Sequence, residues 1–140
     1  MAKLLTLLDI VSQAAMEIGI SQNRVTSVVS SQDQDIIQMR SLLHAVADDV
    51  MQEEPYRETL GDQGWISDQF GEPQDRFVLD TDLVLFDGRL AINGLKWRFL
   101  SGKGLEFGET LRDFTSRMNK LSARANNRVL DLDVDASRVQ

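Results

Sequence analysis

The chain has no cysteine, one histidine (His44), two prolines and few aromatic residues among its 140 positions. Without cysteine, disulfides and thiolate metal sites are excluded. A single histidine rules out a histidine-rich metal cluster and leaves carboxylate or backbone oxygens as the metal ligands available. Long apolar runs are also missing. The opening MAKLLTLLDIVSQ is broken by Asp9, and Gln13 and Glu17 follow. It lacks the h-region of a signal peptide and the ~20 apolar residues of a membrane span. It reads as an ordinary helix, and a soluble intracellular or assembled protein is expected, with no membrane contact.

Signatures of catalysis are missing as well. No G-x-x-x-x-G-K-S/T, G-x-G-x-x-G or G-x-S-x-G pattern occurs, and Gly102-Lys103-Gly104 lacks phosphate-loop spacing. Asp131-x-Asp133-x-Asp135 resembles the start of a calcium loop, but Ala136 occupies the position that needs glycine. His44 with Asp48, and Asp49 with Glu53, sit one helical turn apart, yet the Glu-x-x-His repeats of a di-metal bundle are absent. His44 reads as a solvated helix residue. Neither an enzyme nor a cofactor is expected.

What is present is helical periodicity. A chain of 140 residues suits one domain with a real core, here expected over 1–125. Thr6 with Asp9 approximates a capping box, Leu7, Val11, Ala14 and Ile18 recur at helical spacing, and Gly19 fits the position after the helix. Residues 20–30 read as a polar loop anchored by Val25, Val28 and Val29. Ser30 or Ser31 is expected to cap a second helix, whose stripe of Ile36, Met39, Leu43, Val46 and Val50 runs to a stop at Pro55. Residues 56–76 read as a long contact loop with a strand near Trp65. Phe77–Leu79 and Leu83–Phe86 are β-prone runs expected to form a short hairpin within 76–86.

Asp87 is a good cap for a third helix, and two apolar faces share that helix: Ala91, Ile92, Leu95 and Phe99 on one, Leu90 and Trp97 nearly opposite, with Gly94 beside them. Such a helix is central to the subunit or meets a neighbour on one side. A glycine in mid-helix, at a cost of about 1 kcal/mol relative to alanine, implies close approach of another group. After the glycine turn, Phe107, Leu111, Phe114, Met118, Leu121 and Ala125 form the single stripe of a fourth helix. Arg117, Lys120 and Arg124 line its flank, with Asp113 and Arg117 spaced as an i, i+4 pair. In 126–140, Leu130, Leu132 and Val134 alternate with aspartates, the period of a strand, and an extended tail is expected. The fold class expected is mainly α: about four helices, a long loop, a short hairpin and that tail.

Charge is unevenly distributed. Residues 31–88 hold 14 acidic and 3 basic side chains, net −11, whereas 89–128 hold 9 basic and 3 acidic, net +6. Opposite poles can guide head-to-side association of copies. They can also be no more than solvated faces.

The order of a short TLLDIVSQAAMEIGI helix, a long acidic helix ending EEPY, a loop-rich middle and then LAINGLKWRFLSGKGLEFGETLRDFTSRMNKL resembles the head-to-tail connector (adaptor, or head-completion) proteins of tailed bacteriophages. GLKWRFLSGKGLEF, Gly94 to Phe107, carries most of the likeness, which covers roughly Leu4 to Ala123. The resemblance implies a structural virion protein at the head-tail junction. It would be a cyclic homo-oligomer, typically of twelve copies, beneath the portal protein, extending the DNA channel without sequence-specific DNA binding and docking tail components. No active-site residue follows from it. The candidates for contact with a second subunit, the portal or the tail are Trp65 and Phe70 in the loop, Leu90, Gly94, Trp97 and Arg98 on the third helix, and Lys103 in the turn. Arg117, Lys120 and Arg124 on the fourth helix and Leu130, Leu132 and Val134 in the tail complete them. The alternative is a small helical DNA-binding or packaging-regulatory protein that uses the basic line, against which stand an overall pI near 4.6 and the lack of aromatic residues in that line.

Overall fold

A computed structural model of the chain describes the backbone of residues 4–139 and the side chains of residues 4–124 other than Gln22. Helix accounts for 58% of the chain, in five α-helices beside a small four-stranded antiparallel sheet, so the mainly α class holds.

The first element, β1 (Leu5–Thr6), leads directly into α1 (Leu7–Glu17). Thr6 caps this helix as expected: its hydroxyl accepts from the Asp9 N–H at 3.1 Å, and the Asp9 carboxylate accepts from the Thr6 N–H at 3.4 Å. Two further N–H groups at the helix start, those of Leu7 and Leu8, donate to the carbonyls of Asp82 and Asp80 at 2.9 and 3.2 Å. The donors that any helix start leaves unpaired thus tie α1 to a distant turn. Gly19, at φ +92°, ends the segment in the left-handed region where glycine is favoured.

The second helix, α2 (Gln34–Met51), buries Ile36, Met39, Leu43, Val46 and Val50 completely, the stripe its periodicity predicts. It is shorter than expected at both ends. Asp33, not a serine, is the cap, accepting from the Asp35 N–H at 3.0 Å, while the Ser31 hydroxyl accepts from the Asp33 N–H at 3.2 Å. Pro55 does not stop α2. It opens α3 (Glu54–Leu60), because proline fits the first turn of a helix, where no N–H is needed.

The long loop expected over 56–76 is therefore a correction. It holds most of α3 and then a hairpin of β2 (Ile66–Ser67) and β3 (Pro73–Gln74), paired Ile66 with Gln74 and Ser67 with Pro73. The hairpin expected within 76–86 does not form either. Only β4 (Leu83–Val84) is a strand there, and it pairs with β1 on one side and β2 on the other, giving the order β1-β4-β2-β3. Phe77–Leu79 is instead folded around Asp82, whose Oδ2 accepts from the N–H groups of Val78 and Leu79 at 2.7 and 2.9 Å. A three-residue β-prone run does not specify its own pairing; a buried acceptor beside it does.

The centre of the subunit is α4 (Gly88–Gly102), packed against α1, α2 and α5 (Gly108–Val139). Its two apolar faces are both used inside the chain. Leu90, Ala91 and Leu95 have no exposed surface, and Gly94 is buried with Val46 of α2 and Phe114 of α5 against it. Of α5, Phe114 and Met118 close the core, with Leu121 packed against it. The backbone of α5 is helical as far as Val139, which corrects the strand expected from the alternation at 130–134. After Gly108 no glycine or proline occurs to end a helix. The expected apolar side-chain face of Leu130, Leu132 and Val134 lies outside the described side chains.

Candidate interaction surface

The most exposed large apolar side chain among the described residues belongs to Phe70, 83% accessible at the tip of the β2–β3 hairpin. Its position is built. The carboxylate of Asp68 accepts from the N–H groups of Phe70 and Glu72 at 2.8 and 2.9 Å. The backbone closes with Gly71 N–H to Asp68 carbonyl at 3.1 Å and Asp68 N–H to Glu72 carbonyl at 2.9 Å. Gly71 takes φ +91°, which this turn requires and side-chain-bearing residues resist. An aspartate that binds the backbone two residues on is a recognised turn-former, so the chain holds an aromatic ring in solvent on a braced arm.

The base of the arm is fixed by an aromatic cluster. Trp65, half-buried, meets Phe77 at a ring separation of 5.5 Å and Phe86 at 6.0 Å, and His44 sets its ring edge-on to Trp65 at 5.1 Å. His44 keeps solvent access as expected but is not merely solvated. Desolvation by these neighbours pushes its pKa below the ordinary histidine value, Arg40 adds to that, and Asp48 opposes it. Asp82 anchors the other side: 1% exposed, it accepts from Gln74 Nε2 at 2.8 Å as well as from residues 78 and 79. Burial pushes its carboxyl up, but the bonds from Leu79, Val78 and Gln74 outweigh that and hold it below the usual value. Asp80 behaves alike, its burial offset by donors from Val29, Ser27 and Val28. The expected hairpin of Phe77–Leu79 and Leu83–Phe86 makes residues 80–82 its connection only, a reading that misses both hubs.

The remaining candidates divide clearly. Leu90 and Gly94 are consumed in the core and offer no surface to a partner. Trp97 lies between α4 and α5 against Phe107 and Phe114, at ring separations of 6.1 and 6.5 Å, with the Arg98 guanidinium 4.7 Å above its ring. Arg98 also pairs with Asp49, and Lys103 pairs with Asp35 at 3.0 Å while lying over the Phe99 ring. Arg117 does not pair with Asp113. Its guanidinium forks onto Asp87, the buried cap of α4, with one bond at 2.9 Å. That pairing, more than counteracting its partial burial, raises the Arg117 pKa further. The expected basic line is thus broken at its first member, and Lys120 and Arg124 are the members that remain exposed.

A groove of about 670 Å³ runs beside the arm, between residues 61–64 and 73–78, and opens broadly to solvent. Its charged lining is Asp62, Asp75 and Arg76, a set without a nucleophile and base in partnership. Among the described residues, no group of three or more His, Cys, Asp or Glu side chains could hold a metal ion, and no helix is long and apolar enough to cross a membrane. No protein-family model, curated protein or solved structure matches the chain.

Proposed function

We propose that this chain is a structural subunit of a phage head-to-tail connector, a ring of identical copies beneath the portal protein that extends the DNA channel and docks tail components. The virion is then its working location and the host cytoplasm its place of assembly, with twelve copies the number the resemblance implies. The observation that supports this reading is the Phe70 arm. Maintaining a large aromatic residue at 83% exposure on a braced turn serves a chain that buries it on assembly. The helix-turn-helix that carries the resemblance is also the centre of the subunit, a rigid base for such an arm.

Native mass spectrometry of the purified chain with purified portal tests the proposal. A multi-copy complex on one portal ring is the expected outcome, and a monomer bound one-to-one, or no complex, overturns it. The DNA-binding alternative loses ground because Arg117 is committed to Asp87.

A further inference from the structure

We infer that the Phe70 arm docks on the exposed face of α5 of a second copy, beside Lys120 and Arg124. The inference rests on the ring reading and specifies its contact.

Three observations carry it. The arm carries an exposed aromatic ring on a braced backbone, a residue class enriched at interfaces. The arm itself is acidic: from residue 58 to residue 75 there are five carboxylates and no lysine or arginine, with Arg57 and Arg76 flanking the stretch. A cationic partner surface is therefore favoured, because a like-charged one would be repelled. The third observation is the complementary stretch in the same chain. Residues 114–124 hold Arg117, Lys120 and Arg124 and no carboxylate. Arg117 is occupied by Asp87, whereas Lys120 and Arg124 project from the solvent side of α5 together with Asn119 and Ser116.

Arm and helix face are different patches of one subunit. Their contact is heterologous, the type that generates a ring when its rotation closes. The basic block spends Arg89, Lys96, Arg98, Lys103 and Arg117 on acidic partners inside the subunit, so its exposed remainder on α5 is what an acidic arm can find.

The test uses the whole chain under whichever condition assembles the unaltered protein, alone or on portal. Glu72→Lys with Asp75→Lys on the arm, or Lys120→Glu with Arg124→Glu on α5, should each weaken assembly by about tenfold or more, and the four changes combined in one chain should restore most of it. All four positions are exposed, so folding is retained, and circular dichroism checks this. A second readout exploits the absence of cysteine. Protomers with Gln69→Cys, next to the anchor, mixed with protomers carrying Asn119→Cys, next to Lys120, should yield a cross-linked pair with a short bis-maleimide, and neither alone should; both positions are exposed. A ring that survives both charge reversals, or one that yields no mixed cross-link, overturns the arm assignment and leaves the connector reading standing. A chain that never forms multi-copy assemblies, with or without portal, overturns the connector reading itself.

Discussion

Replacing Gly94 by alanine probes the centre of the fold. Propensity alone favours the change, since alanine in a helix interior gains about 1 kcal/mol over glycine. Packing opposes it. A methyl at Gly94 would stand 2.5 Å from Val46 Cγ1 and 2.8 Å from Phe114 Cε1. Carbon atoms prefer about 3.5–4.0 Å, so each neighbour must retreat by close to an ångström. Neither has much room: Val46 is wholly buried on α2, and Phe114 is 7% exposed on α5. Overpacking of this kind costs about 1–3 kcal/mol, and two contacts at once place it near the top of that range.

The expected net effect is a loss of about 2 kcal/mol, or about 7 °C in Tm at the usual unfolding entropy for this chain length. Urea titration followed by circular dichroism measures it. A double-mutant cycle locates the cause. Val46→Ala removes one of the two obstructing groups, so the pair should be less destabilised than the sum of its singles by about 1 kcal/mol or more. Phe114 still obstructs, which keeps the rescue incomplete. If Gly94→Ala instead stabilised the protein by the full propensity gain, Val46 and Phe114 would not both lie against Gly94 and the central placement of α4 would be wrong.

Arg117→Ala strips the counter-charge from Asp87, which is 1% exposed, and should cost about 2–3 kcal/mol by urea denaturation, below the full penalty for breaking a buried pair because the arginine itself is partly solvated. Asp82→Ala leaves Gln74 Nε2 and the N–H groups of Val78 and Leu79 without their acceptor and should cost about 2–4 kcal/mol, with hydrogen exchange accelerated first in residues 74–79. Burial pushes the Glu17 carboxyl up, but Lys96, Gln13 and Arg89 together lower it from 4.5 to about 2. Its contribution is therefore complete above pH 4.5 and fades as pH falls toward 2; Glu17→Gln should flatten that part of the thermal stability profile and leave the neutral-to-alkaline part unaltered in slope. Phe70→Ser should change monomer stability by less than about 0.5 kcal/mol, because so little of the ring is buried; a larger loss would mean that the arm packs on its own subunit.

Local rules made parts of the fold legible. Thr6 and Asp9 form the box their spacing announces, the α2 stripe is buried in full, and Asp87 caps α4 by accepting from the Leu90 N–H at 2.9 Å. Each depends on residues within one or two turns of each other. The misreadings share the opposite property. Asp80 reaches Val28 and Val29, some fifty positions away in sequence, and no periodicity within 77–86 could reveal that the turn would be claimed by α1 and residues 27–29. Arg117 had a local partner at Asp113 and took a tertiary one at Asp87, because an exposed i, i+4 pair gains only about 0.3–0.5 kcal/mol whereas a buried carboxylate left alone is far more costly. The arm's sequence reads as part of a long loop with a strand near Trp65, not as the hairpin it forms. Gly71 and the aspartate three residues before it mark a turn, but nothing local distinguishes a phenylalanine held in solvent from one folded inward.

The charge blocks lead to a different conclusion once the folded pairs are known. A net of −11 over 31–88 facing +6 over 89–128 reads as two poles that seek each other between copies. The fold already joins them: Lys103 to Asp35, Arg98 to Asp49 and Arg117 to Asp87 each link the basic block to the acidic one within the subunit. Arg89 and Lys96 are taken by Glu17 of α1, so five of the nine cations in 89–128 pair within the subunit. The acidic surplus, by contrast, has no such outlet along 58–75, where five carboxylates occur without a cation and where Phe70 stands exposed. Internal pairing therefore narrows the charge available for assembly from two broad poles to one acidic arm and the short cationic remainder on α5. Added salt should weaken a contact between those two exposed patches while leaving the partly buried Arg117–Asp87 pair much less affected. Assembly that loosens with salt at unchanged Tm would separate the two roles of charge in this chain, and assembly indifferent to salt would show that apolar contact at Phe70 outweighs them.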